Sequence, residues 1–121
     1  MNEIILITGA YGMVGQNTAL YFKKNKPDVT LLTPKKSELC LLDKDNVQAY
    51  LKEYKPTGII HCAGRVGGIV ANMNDLSTYM VENLLMGLYL FSSALDSGVK
   101  KAINLASSCA YPKFCLLYTS L

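Results

Sequence analysis

Ile4-Ile5-Leu6-Ile7-Thr8-Gly9-Ala10-Tyr11-Gly12-Met13-Val14-Gly15 is an apolar, largely β-branched run that breaks into glycines three residues apart. The run reads as a buried strand ending at Gly9. Met13 to Lys24 then reads as an amphipathic helix with apolar residues at Met13, Val14, Ala19, Leu20 and Phe22. In that context each glycine has a separate task. Gly9 permits a tight turn out of the strand, Gly12 lets the backbone approach a pyrophosphate, and Gly15 lets the helix lie close on the sheet. Free N–H groups at the start of the helix would meet the phosphate charge. Strand, glycine turn and helix together predict a dinucleotide site over Gly9, Ala10, Tyr11, Gly12, Met13, Val14 and Gly15.

Outward from this unit, strand and helix signals alternate. Pro27 and Asp28 break the first helix, and Val29 to Thr33 reads as a second strand stopped by Pro34. A short apolar piece, Leu39 to Leu42, leads to Asp43 or Asp45 as the cap of a helix through Tyr54, which Pro56 and Gly58 end. Ile59 to Ala63 is a buried strand running into Gly64-Arg65-Val66-Gly67-Gly68. A long helix follows from about Leu76 to Asp96, stopped by Gly98, and Ala102 to Ala106 is the last strand. This order predicts an α/β fold, the N-terminal part of a doubly wound parallel (Rossmann) sheet with right-handed crossovers. Ligands bind such sheets at the carboxyl ends of the strands.

Composition agrees. Half of the 121 residues are hydrophobic and 17% are charged, with a mean hydropathy of +0.20. A parallel sheet buried on both faces accounts for that. The charge-free stretch Asn83 to Leu95 is too short to span a bilayer, so no membrane is expected. The N-terminus lacks a basic region and does not read as a signal peptide. Net charge is +3 with both signs mixed along the chain, which suits an anionic ligand and not nucleic acid. Cys40, Cys62, Cys109 and Cys115 show no CxxC spacing, and His61 is the lone histidine. No metal is expected, and a reducing cytoplasm is. Cys40, Cys62 and His61 are assigned to packing.

Dinucleotide-binding sheets that select NAD place a carboxylate at the end of the second strand to hold the ribose 2′-hydroxyl. Here the stretch reads Thr33-Pro34-Lys35-Lys36. Lysines attract a 2′-phosphate that a carboxylate would repel, so NADP(H) is the expected cofactor.

The glycine turn, Lys36-Ser37-Glu38-Leu39-Cys40-Leu41-Leu42-Asp43, His61 through Asn72 (with Val66-Gly67-Gly68-Ile69-Val70-Ala71-Asn72) and Ser107-Ser108-Cys109-Ala110-Tyr111-Pro112-Lys113 carry a resemblance. Over residues 1 to about 113 the chain resembles the extended short-chain dehydrogenase/reductases, and within them the GDP-L-fucose synthase family. The resemblance implies a 3,5-epimerisation and 4-reduction of GDP-4-dehydro-6-deoxy-D-mannose with NADPH, a GDP-sugar partner and a homodimer of the whole protein. It implies that Ser107 holds the C4 oxygen and that Cys109 exchanges protons beside the ketone. It also implies that Ala63, Gly64, Leu105, Ala106 and Ser108 run along the cofactor, that Lys36 and Leu41 line its adenosine end, and that Asn83 is structural. Arg65 stands where the family often has lysine or an apolar residue. Met80, Met86 and Tyr89 read as core or a dimer face.

The family's Tyr-x-x-x-Lys should follow the serine, and Tyr118 has no lysine four residues on. Residues 114–121 depart from the family pattern and read as a truncated or out-of-frame end, leaving an incomplete domain. Two alternatives stay open: another nucleotide-sugar epimerase or dehydratase, and a non-catalytic NADPH-binding module.

Overall fold

β1 (Ile4–Thr8) runs through the middle of a four-stranded sheet in the computed structural model, which describes residues 2–107. Its neighbours are β2 (Thr30–Leu32) and β3 (Gly58–His61), with β4 (Lys101–Asn104) beyond β3. Every pairing is parallel, with Ile5 opposite Leu31 and Gly58, and Ile60 opposite Ile103. Parallel neighbours need crossovers, and helices supply them. α1 (Met13–Asn25) joins β1 to β2, α2 (Lys44–Tyr54) joins β2 to β3, and α3 (Ile69–Asn74) with α4 (Leu76–Leu95) joins β3 to β4.

The two central strands are apolar at successive positions because both of their faces are covered. Leu6 and Ile59 point into a core with Leu39, Leu41, Val47, Leu51 and Leu90, under α2 and α4. Ile7, in the next position, packs on the opposite face with Ala10 and Ala19 under α1. This is the doubly wound architecture expected.

Several boundaries differ for identifiable reasons. β2 is shorter than Val29–Thr33, because only its middle pairs with β1. β4 covers Lys101–Asn104, not Ala102–Ala106, and is exposed throughout, with β3 its one strand neighbour among the described residues. Asp43 is the residue that caps α2, its carboxylate accepting the Asn46 N–H at 3.1 Å. That helix ends at Lys55 in the left-handed region (φ 46°), whose N–H reaches the Leu51 carbonyl. Gly58 does not end it, and belongs to β3. α3 has no counterpart in the sequence reading. Gly98, just past α4, adopts φ +76° as a helix stop should.

Candidate functional site

The carboxyl ends of β1 and β3 lie side by side and hold the first part of the site. Gly9 leaves β1 with φ +66°, and a Cβ there would come within 2.7 Å of the Ala63 N and Cα. Only glycine allows the turn to lie against β3. Gly15 is buried in the first turn of α1, and a side chain on it would overlap the Gly9 carbonyl. Gly12 caps the helix, donating its N–H to the Gly9 carbonyl at 3.0 Å. The first helical bond runs from Gln16 N–H to the Gly12 carbonyl, so the N–H groups of Met13, Val14 and Gly15 precede it. The first turn carries no acidic residue, and Tyr11, Met13 and Val14 are exposed around it. Donors at the positive end of a helix dipole, beside backbone free of side chains, suit a pyrophosphate.

A small buried network fixes the two strand ends. The Thr8 hydroxyl lies 2.7 Å from His61 Nδ1 and accepts the Ala63 N–H at 3.3 Å. Burial holds the His61 pKa below its ordinary value, which favours the neutral ring. Phe91 meets the ring edge-on at 5.7 Å. His61 is the satisfied core residue expected. Cys62 is half-buried, with its thiol pKa raised by burial. Cys40 is exposed and does not pack. It lies between buried Leu39 and Leu41, at the start of a turn in which its carbonyl accepts the Asp43 N–H at 3.1 Å.

Beyond Ala63 the loop 64–68 is stapled to the helices that follow it. The Asn83 side chain pairs with both backbone groups of Arg65, accepting the N–H at 2.7 Å and donating to the carbonyl at 3.0 Å. Asn72 donates to the carbonyls of Gly67 and Gly68 at 2.8 and 3.1 Å. Asn83 thus has a structural role. Asn72 was quoted in sequence as part of the Val66–Asn72 segment but given no role, although an amide one helical turn beyond paired glycines is the available signal. Met86 and Tyr89 pack against the core, whereas Met80 is exposed, so the stripe is divided.

At the end of β2, Lys35 and Lys36 are exposed. The Glu38 carboxylate folds back to accept the Lys35 N–H at 2.7 Å, which places a negative charge in a stretch that reads as purely basic. Leu41, assigned to the adenosine end, is buried in the core beneath α2, and its side chain is occupied by packing there. Past β4, Leu105 donates its N–H to the His61 carbonyl at 3.2 Å, and Leu105, Ala106 and Ser107 are exposed. Ser108, Cys109, Tyr118 and the segment 114–121 lie outside the described residues. Gly9–Gly15, Ala63–Gly64 and Leu105–Ser107 therefore share one edge of the sheet. Among the described residues no helix is long and apolar enough to cross a membrane.

Residues 5–116 match the model of the NAD dependent epimerase/dehydratase family. The GDP-L-colitose synthase of Yersinia pseudotuberculosis is 49% identical over 111 residues, covering 92% of this chain and 35% of that protein. The GDP-L-fucose synthase of Azorhizobium caulinodans is 36% identical over 108 residues, covering 89% and 34%. A solved GDP-L-fucose synthetase from Naegleria fowleri bound to NADP superposes with a TM-score of 0.81 at 31% identity, covering 92% of this chain and 36% of that one. The chain spans about a third of the length of the curated relatives it matches.

Proposed function

The chain belongs to the NAD dependent epimerase/dehydratase family, and on that premise we propose that it carries the NADP(H)-binding part of a GDP-sugar epimerase/reductase. The reaction is the conversion of GDP-4-dehydro-6-deoxy-D-mannose to GDP-L-fucose, performed by the whole protein. The observation that carries this reading is the shared sheet edge. The glycine turn, the end of β3 and the residues after β4 converge there, as a cofactor and a reacting sugar laid end to end require.

The residues present fit the cofactor. N–H groups of Met13, Val14 and Gly15 would hold the pyrophosphate, Gly9 and Gly12 would leave its path free of side chains, and exposed Lys35 and Lys36 would supply positive charge for the 2′-phosphate. When bound, NADPH supplies the hydride that reduces C4. Ser107 donates a hydrogen bond to the C4 oxygen as negative charge develops there. The C4 ketone acidifies the protons at C3 and C5, and Cys109, a thiol with an ordinary pKa of about 8.5, carries them.

A second reading has a specific observation behind it. The identity to the GDP-L-colitose synthase, 49%, exceeds the 36% to the Azorhizobium GDP-L-fucose synthase, which favours GDP-L-colitose as the product. A full-length protein carrying this chain is tested with the GDP-4-dehydro sugar precursor of each product. NADPH absorbance follows reduction, and deuterium uptake from heavy water, read by NMR, follows proton exchange. Cys109→Ser should stop the uptake and spare hydride transfer to an unepimerised ketone. Normal uptake in that variant, or no NADPH oxidation with either sugar, overturns the respective assignment.

A further inference from the structure

Arg65 is a large cation in the loop that leaves β3 beside the glycine turn, and its charge is already engaged. Its guanidinium lies 3.0 Å from the Glu82 carboxylate and 3.7 Å from that of Asp75. It also sits 5.0 Å from the centre of the Tyr79 ring. All three partners are on α4 or at its start. The same residue's N–H and carbonyl are both paired with the side chain of Asn83, the residue after Glu82 on α4. Side chain and main chain of one loop residue are thus bound to one helix.

The consequences reach the cofactor edge through short steps. Gly64 precedes Arg65 and would bring a Cβ within 3.4 Å of the Asn83 oxygen. Ala63 precedes Gly64 and abuts Gly9, where a Cβ would meet its N and Cα at 2.7 Å. Any shift of Arg65 away from α4 therefore displaces the wall against which the glycine turn rests. Gly64 and Arg65 are exposed, so the link runs along the backbone, which separates Arg65 from Ala63 by two residues.

We propose that Arg65 is a positioning residue for the dinucleotide: clasped by Tyr79, Glu82 and Asp75, it latches the β3–α3 loop to α4 and holds Ala63 and Gly64 against the glycine turn. This rests on the dinucleotide reading above. It differs from the simpler expectation for an arginine beside an anionic cofactor, which is direct attraction to a phosphate. The guanidinium is already paired with Glu82, whose hydrogen bond raises its pKa, and has Asp75 at 3.7 Å.

The two roles predict opposite signs for one substitution. If Arg65 attracted the phosphate directly, Glu82→Gln would release it and remove a nearby negative charge, and NADPH would bind more tightly. If Arg65 is a latch, Glu82→Gln loosens the loop, and NADPH binds more weakly. The test is a fluorescence titration of the full chain with NADPH and with NADH. Arg65→Met and Glu82→Gln are each expected to raise both dissociation constants by about three- to fivefold, the scale of an exposed ion pair. The NADPH-to-NADH ratio stays unchanged. Arg65→Lys, which keeps the charge and loses the fork, should fall between the unmodified chain and Arg65→Met. The Arg65 side chain is 42% exposed, so the variants should retain the unmodified chain's circular dichroism and melting point. Tighter or unchanged binding by Glu82→Gln, or a changed cofactor ratio, overturns the latch alone. Failure of the unmodified chain to bind either cofactor overturns the dinucleotide reading and the latch with it.

Discussion

The Thr8 hydroxyl lies 2.7 Å from His61 Nδ1 and ties the carboxyl end of β1 to that of β3. The contact can form with either ring tautomer, because a hydroxyl both donates and accepts. Burial lowers the His61 pKa below 6.5 in the folded chain, while the unfolded chain titrates near that value. As pH falls through 6.5 the unfolded state takes up a proton that the folded state resists. Stability is therefore complete above about pH 6.5 and declines between that pH and the lower folded value. Melting points measured from pH 8 to pH 5.5 should fall over the acid end of this range. His61→Gln should be flatter there, and equal slopes for the two proteins would exclude His61 as the source.

Three glycines separate three kinds of constraint. Gly15→Ala puts a methyl on the Gly9 carbonyl and within 2.8 Å of the Ala10 Cα, all backbone that cannot rotate away. It should cost about 1–3 kcal/mol or more. Gly12→Ala meets only the Gly9 oxygen at 3.3 Å, so the fold should survive while the methyl obstructs the phosphate and NADPH affinity drops. Gly87 lies within α4 with nothing inside 4 Å of its absent Cβ. Gly87→Ala should stabilise by about 0.5–1 kcal/mol through helix propensity. Denaturant melts order the three variants, and a stabilised Gly15→Ala would refute the packing argument.

How much of this was readable in sequence follows from range. β1, α1 and their glycines were legible because strand, turn and helix are adjacent in the chain and their reasons are local. The burial of β1 and β3 on both faces showed directly as uninterrupted apolar runs. The exposure of β4 did not, since position at a sheet edge is a property of topology. α3 has too few residues to display a period. Lys55 adopts a left-handed conformation that nothing in its identity announces. In the site, Asn83 stood out, but its partner Arg65 is 18 positions away and is brought near only by the turn of the loop. Glu38 was quoted in sequence without a role, because its bond to the Lys35 N–H depends on the turn between them.

That carboxylate sharpens the expectation for cofactor choice. Lys35 and Lys36 favour a 2′-phosphate, and Glu38, held at the Lys35 N–H, opposes it. Changing both lysines to alanine should narrow the gap between NADPH and NADH by about three- to tenfold, as befits exposed charges. Glu38→Gln should widen it. Dissociation constants for both cofactors decide the matter, and equal values in the unmodified chain would remove the basis for selectivity here.

The last expectation concerns the face formed by α4 and β4. Met80, Leu84 and Leu88 recur at helical spacing along α4 and are 59–63% exposed. A groove of about 780 Å³ lies alongside them, with Phe91, Leu95, Val99 and Ala102 in its lining. β4 borders the groove as an edge strand exposed along its length. A contiguous apolar surface beside a strand whose one partner among the described residues is β3 favours association. The chain should therefore elute from size-exclusion chromatography in a concentration-dependent position larger than a monomer. Leu84→Lys and Leu88→Lys together should shift it toward the monomer without lowering its melting point, because both side chains project outward. NADPH should raise the melting point by mass action while leaving the elution position unchanged, since its site lies at the strand ends and not on this face. A monomeric peak at every concentration, with a sharp reversible melt in the absence of cofactor, would show that this surface does not drive association.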